Sequence, residues 1–240
     1  MKETNEAVRL SLQESFPCAY FGDGRISSIE YFYADEESSK RYHEYLADGY
    51  RRLGSIFYRN VCRACADCKP IRLEAESFRL SRSQTRTLKK SQDIRLDIHS
   101  PALISDEKVD LYRRYLDSKH SGKGEKEVRD YETVLSNIHY GYAHTIEMDY
   151  YEGDRLIGVG IVDEAKDSLS SNYFYYDTDY LARRLGVFSI LKEIFLARVM
   201  EKKYYYLGFY IEETAKMSYK KLFRPNQIFE KSMWREFLRG

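Results

Sequence analysis

Apolar positions change period several times along the chain, and the changes mark out its elements. Residues 27–34, SSIEYFYA, predict a short strand. Asp35 caps a helix that the spacing of Tyr42, Tyr45, Leu46, Tyr50 and Leu53 carries to Arg52, with Gly54 as its stop. Alternation returns over 69–80, KPIRLEAESFRL, as a strand. Ser81 or Ser83 caps a short basic helix over 81–93. From Pro101 the pattern is helical again. Ser105, Asp106 and Glu107 suit a helix N-terminus, and Val109, Leu111, Tyr112, Tyr115 and Leu116 follow at helical spacing. Residues 128–139 read as a second helix. Then the period becomes extended: 143–151 and 155–163 flank the turn EGD, and 168–176 is a third strand. A strong amphipathic helix spans 185–203, a buried strand 204–211 and a short helix 213–223. The stretches 1–15, 119–127 and 163–168 look least structured.

From 101 onward the order is two helices, three strands, a helix, a strand and a helix. An antiparallel meander before a crossover helix predicts an α+β fold with a GCN5-related acyltransferase-like core over 101–240. Residues 1–100 then form a smaller mixed α/β, cysteine-containing N-terminal region.

Composition narrows the possibilities. The 240 residues carry 39 Lys and Arg against 38 Asp and Glu, a net charge of +1, so any nucleic-acid site must be a local patch. Hydrophobic residues make up 43%, enough for a core, yet no run approaches a membrane span. The start of the chain is charged and lacks the apolar run of a signal peptide, so a cytoplasmic location is expected. There, four cysteines are thiols or metal ligands rather than a disulfide framework. The 23 tyrosines suit half-wet pockets.

Four segments carry candidate chemistry. Cys62, Cys65 and Cys68 lie within seven residues, and Cys18 makes a fourth thiol, a donor set for a structural zinc or an iron–sulfur cluster; packed free thiols are the alternative. Arg79, Arg82, Arg86, Lys89 and Lys90 can track phosphates, with Ser81, Ser83 and Gln84 as hydrogen-bonding groups, or form a solvated helix face. Arg183, Arg184 and Gly186 stand where a strand runs through a loop into a helix, the place where acyltransferases of this fold hold donor phosphates. Gly208 lets a ligand or another backbone approach its strand, and Lys216, Tyr219 and Lys220 follow on the last helix. The five histidines show no metal spacing, and there is no Walker loop, nucleophile elbow or kinase set.

Across nearly the whole chain these pieces resemble the aminoacyl-tRNA–protein transferases of the N-degron pathway. The resemblance rests on PCAY, YRNVCRACADCKPIRL, FRLSRSQTRTLKKSQDI, LYRRYLDSKHSG, SSNYFYYD followed by LG, and YLGFYIEETAKMSYKKLFRP, all in the family's order. Asn60, Thr85, Ser91-Gln92, Thr178 and Thr214 depart from the family pattern, and RRLG replaces Ser-Leu-Gly.

The resemblance implies transfer of an amino acid from a charged tRNA to the α-amine of a protein beginning with Asp or Glu. The ester is already activated, so the chemistry requires no cofactor and the work is positioning and charge stabilisation. Asp177 is the expected proton acceptor, with Tyr173, Tyr176 and Tyr210 as hydrogen-bonding or stacking groups. The tRNA falls to Arg82, Gln84, Arg86, Lys89, Lys90, Arg183, Arg184, Gly186, Lys216 and Lys220. Arg59 and Arg72, with Ser170 and Ser171, are the expected acceptor-binding groups, and Arg86 is a further candidate cation. Chain length favours leucine as donor, as in the bacterial aspartate/glutamate leucyltransferases. Arginine stays open, because SSNYFYYDTDY and GFYIEE are as close to the arginyl branch and Glu212 and Glu213 are near in sequence. Two remoter readings are a CoA-dependent N-acetyltransferase and a non-catalytic RNA- or peptide-binding module.

Overall fold

A computed structural model describes residues 11–120 and 130–237. Most of the expected loop at 119–127 and the first residues of the helix expected over 128–139 lie outside the described residues.

Among the described residues twelve strands form two sheets. β1 (Leu12–Pro17), β2 (Ile26–Tyr33), β3 (Arg51–Leu53) and β4 (Ile56–Asn60) make the smaller, in the order β1-β2-β4-β3. The larger contains β5 (Lys69–Glu74), β6 (Ile94–His99), β7 (Thr145–Glu152), β8 (Arg155–Glu164), β9 (Ser168–Tyr176), β10 (Tyr204–Tyr210), β11 (Gln227–Glu230) and β12 (Met233–Glu236). Its order is β12-β11-β5-β10-β9-β8-β7-β6. β5 and β6, from the first hundred residues, pair with β10 and β7, so the division at 100 falls within the segments that build this one sheet.

The expected helix from Asp35 is two short ones, α1 (Glu36–Lys40) and α2 (Tyr42–Ala47). Asp35 does cap the first, accepting from Ser38 N at 2.7 Å. The stop is Gly49 rather than Gly54. Gly49 has φ +82°, and a Cβ there would meet the Phe229 ring at 2.8 Å. The chain then turns into β3, so Arg51 and Arg52 are strand residues facing inward. α3 (Arg82–Lys90) has a capping box between Ser81 and Gln84. The expected strand over 69–80 stops at Glu74, where the chain turns and Ser77 N donates back to Glu74 O at 3.1 Å.

α4 (Asp106–His120) and α5 (Tyr131–Tyr140) cover one face of the large sheet, and α6 (Leu185–Val199) the other, backed by α3. Leu111, Tyr112, Leu135 and Ile138 pack on Leu156, Val159, Ile161 and Tyr175 on the first face. Phe188, Leu191 and Ile194 pack on Ile157, Val162 and Leu169 on the second. Coverage of both faces explains the almost continuous apolar run of β8. A third cluster, Phe32, Tyr42, Leu46, Phe57, Tyr142 and Tyr206, joins the two sheets. The final helix is a single turn, α7 (Ala215–Ser218), followed by a 3₁₀ turn over Tyr219–Leu222. Among the described residues no helix is long and apolar enough to cross a membrane.

Candidate active site

β9 and β10 are parallel neighbours, yet they pair only at one end. Tyr204, Tyr205 and Tyr206 lie opposite Ser168, Leu169 and Ser170. Beyond that point β9 stays with β8 and β10 with β5. The strands part, and a cleft of about 300 Å³ opens between residues 171–174 and 207–209. α6 lines it with Gly186, Ser189, Ile190 and Glu193, and the small sheet contributes Arg51, Arg52 and Tyr58. Tyr20, Met217, Tyr219 and Lys220 complete the walls.

Gly208 shapes this space. The pairing with β5 shifts register between Tyr206 and Gly208, and Gly208 has φ +92°. A Cβ there would lie 3.1 Å from Lys220 Nζ and 3.5 Å from Arg51 Nη2. Glycine thus provides both the left-handed backbone and room for two cations.

Those cations differ in their surroundings. Arg52 is buried and bonded to Asp163 at 2.7 Å, and the same carboxylate accepts from Asn172 Nδ2 at 2.9 Å and Tyr42 OH at 3.3 Å. Arg51 donates from Nη1 to Ser170 Oγ at 2.9 Å and from Nη2 to the Ser171 carbonyl. Burial, and the neighbouring Arg51 charge, lower the Lys220 amine from its ordinary 10.5 to about 7. Glu193 is buried; burial raises its carboxyl, which accepts from Tyr205 OH at 2.7 Å and Ser189 Oγ at 2.7 Å. Phe174, Ile190, Leu207, Phe209 and Met217 form the apolar part of the lining, beside the tyrosines Tyr20, Tyr58, Tyr173 and Tyr219.

The structure brings Tyr173, Ser171, Gly186 and Lys220 together at this cleft, with Ser170 behind it as the acceptor for Arg51. Other expected site residues lie elsewhere. Asp177 follows β9, accepts from Asp179 N at 3.1 Å and is paired with Arg155 at 2.5 Å. Tyr176 stacks on Phe174, and Tyr210 packs on Phe237. Arg59 pairs with Glu30 at 3.0 Å. Arg72 is clamped between Tyr204 and Trp234, 4.0 and 4.1 Å from their ring centres, and donates to Tyr206 OH and Gln227. Gln84 is buried and donates to Leu222 O at 3.2 Å. Arg183 pairs with Asp93 and Glu152, Lys90 donates to Ala182 O, and Arg184 donates to Ser83 Oγ. Arg82, Arg86, Lys89 and Lys216 are exposed.

Sequence reasoning missed Arg51 and Glu193. Arg51 was hidden by assigning it to a helix. Glu193 had a usable signal, since it lies four residues after Ser189 on the apolar face of α6.

Two other clusters bring together side chains of the kinds that ligate metals. The thiols of Cys18, Cys62 and Cys65 neighbour Cys68, whose own thiol burial pushes up to about 12, helped by theirs. Among the described residues, the three-membered group with donor atoms within 4.8 Å of one another is His99, Glu147 and Asp149. Lys108 already occupies it, bonded to Glu147 and, at 2.8 Å, to Asp149.

A fork between parallel strands, lined by a low-pKa amine and walled by apolar side chains, suits an acyl acceptor reaction. Comparison with known proteins gives the class. Residues 16–86 match the model of the arginine-tRNA-protein transferase N terminus, and residues 107–230 that of its C terminus. The chain belongs to this family and is an aminoacyltransferase. It is similar to proteins named aspartate/glutamate leucyltransferase. That of Saccharophagus degradans is 33% identical, over 99% of this chain and 100% of the relative. That of Leptospira interrogans is 35% identical, over 95% and 90%. The solved structure of FemX is 8% identical over 95% of this chain and 88% of its own, with a TM-score of 0.49.

Proposed function

We propose that this protein transfers leucine from leucyl-tRNA to the α-amine of proteins beginning with Asp or Glu, on a GCN5-related acyltransferase-like core. The names of its relatives support the substrates. The meander β7–β8–β9, the crossover α6 and the parallel β10 support the core. The observation that carries the reaction is the place of Lys220, whose amine lies in the wall of the fork, 3.1 Å from where a Cβ on Gly208 would stand, and which burial lowers to about 7. The acceptor's amine, with an ordinary pKa of about 7.7–8.0, attacks the ester carbonyl carbon. A C–N bond forms, the bond from that carbon to the ribose oxygen breaks, and the oxygen leaves as a hydroxyl. Neutral Lys220 takes the proton the amine loses and returns one to the leaving oxygen. Lys220, not Asp177, is the base in this reading, because Asp177 is spent on Arg155. Tyr173, which also lines the fork, orients the reactants.

The apolar lining favours leucine over arginine as donor. Glu193 is the carboxylate nearest Lys220's end of the cleft, and its oxygens are already bonded to Tyr205 and Ser189. An arginine side chain would have no free counterion there. The exposed cations of α3, with Arg184 beside Ser83, make the path for tRNA phosphates. The four thiols fit a structural zinc or iron–sulfur cluster in kind and number; their sulfurs must close in to bind one. No step of the transfer runs through that group.

The test is to incubate the protein with leucyl- and arginyl-tRNA, each labelled in the amino acid, and peptides starting with Asp, Glu, Arg, Lys or Ala. Label passing from leucine to the Asp and Glu peptides is expected. Label from arginine alone would overturn the donor. No label, with acetyl transfer from acetyl-CoA instead, would overturn the reaction.

A further inference from the structure

Resting on the reading just given, we infer that Arg51 is the specificity-determining residue that binds the side-chain carboxylate of the acceptor's first residue. A buried cation is costly unless an anion meets it. Arg51 is 6% exposed and lies on the wall of the fork. Its hydrogen-bond partners among the described residues, Ser170 Oγ and the Ser171 carbonyl, are neutral. No carboxylate among the described residues forms an ion pair with it, whereas its sequence neighbour Arg52 is matched by Asp163. The candidate counterions nearby are committed: Asp163 to Arg52, Asn172 and Tyr42, and Glu193 to Ser189 and Tyr205.

Position adds a second argument. Gly208 keeps open a space bordered at once by Arg51 Nη2 and Lys220 Nζ. An N-terminal Asp or Glu carries its α-amine and its carboxylate a few bonds apart. The amine can approach Lys220 while the carboxylate meets the guanidinium, whose planar donors match a carboxylate's two oxygens. The cations expected to bind the acceptor, Arg59 and Arg72, are held by Glu30 and by the Tyr204–Trp234 clamp. A tRNA phosphate is the rival anion. It is less suited to this place, because exposed cations of α3 are open to the backbone while Arg51 lies deep between two sheets.

The experiment compares transfer to Glu- and Gln-initiated peptides, matched otherwise, by the wild type, Arg51→Gln and Arg51→Lys. Binding of the same tRNA is measured beside it. The wild type prefers the acid, and in Arg51→Gln the ratio of kcat/KM for Glu over Gln falls by roughly 10²-fold, as expected when a buried charge pair loses one partner. Arg51→Lys keeps the charge, and retains a preference for the acid at reduced kcat/KM; it also serves if the glutamine variant does not fold. Tenfold weaker tRNA binding with an unchanged Glu/Gln ratio would give Arg51 to a phosphate and overturn the inference. A wild type that transfers to neither peptide would instead remove the proposed reaction. Calorimetry with the Glu and Gln peptides then decides Arg51 separately: equal affinities in wild type and Arg51→Gln count against it.

Discussion

Replacing Lys220 with methionine tests the chemistry most directly. Methionine keeps most of the side chain's length and removes the amine. The shift of Lys220 from 10.5 to about 7 means that close to half of it is neutral at pH 7. An ordinary lysine would then be neutral in roughly one molecule in three thousand, so the cleft raises the supply of free base by about 10³-fold. General-base catalysis of this kind contributes about 10²–10⁴-fold. We therefore expect single-turnover transfer at saturating peptide to rise with pH through about 7 in the wild type. In K220M that limb flattens and the rate falls by about 10²–10³-fold. The fold itself supplies a control. Folded Lys220 loses its proton near 7 and unfolded Lys220 near 10.5, so between those values the unfolded chain binds more protons. The stability contributed by this group therefore rises with pH across that window, and the deficit is complete below it. K220M removes that slope and is the more stable protein at pH 6, read from urea midpoints. A K220M enzyme with wild-type rate and an unchanged pH limb would refute the assignment.

Other consequences can be checked singly. Burial raises the Glu193 carboxyl, so unfolded Glu193 ionises first, and stability from this group falls as pH climbs above 4.5. E193Q, which still accepts from Tyr205, should therefore raise the urea midpoint at pH 7 and lessen that fall. D163N strips the buried Arg52 of its charge partner and should cost about 3–5 kcal/mol in chemical denaturation. Combined alanine substitution of Arg82, Arg86 and Lys89 should weaken tRNA binding with little effect on melting temperature. It should also reduce the salt dependence of binding by about 2 in log–log slope.

The large sheet's centre was legible because its elements are long and strongly periodic. β9 matches its expected bounds, and β7, β8, α6 and β10 fall within a few residues of theirs. The peripheral strands were not. β3 has three residues, and β11 and β12 have four each, too few for alternation to declare itself. β6, IRLDIH, alternates cleanly, but it follows a basic helix with no turn signal between them. The Asp35 helix was overextended because its tyrosines keep helical spacing past Gly49, and only the Phe229 ring, 180 residues away, shows why the chain must turn there. The lining of the fork obeyed the same limit. Local patterns single out Lys220 and Gly186, expected as tRNA-binding groups and both part of that lining, whereas Arg51 becomes informative only when β3 is laid across β9.

The fork also has a mechanical meaning. The eight-stranded sheet is two four-stranded halves, β12-β11-β5-β10 and β9-β8-β7-β6, stitched by a seam only three residue pairs long. A continuous sheet resists bending because every strand shares its load with the next. Here strain is concentrated in one short seam, braced by α6 packed across both strands and by Arg51 reaching from the small sheet to β9. Residues 168–170 and 204–206 are therefore the whole of the backbone ladder that joins the two halves between β9 and β10. The walls of the fork and the seam that holds the sheet together belong to the same two strands.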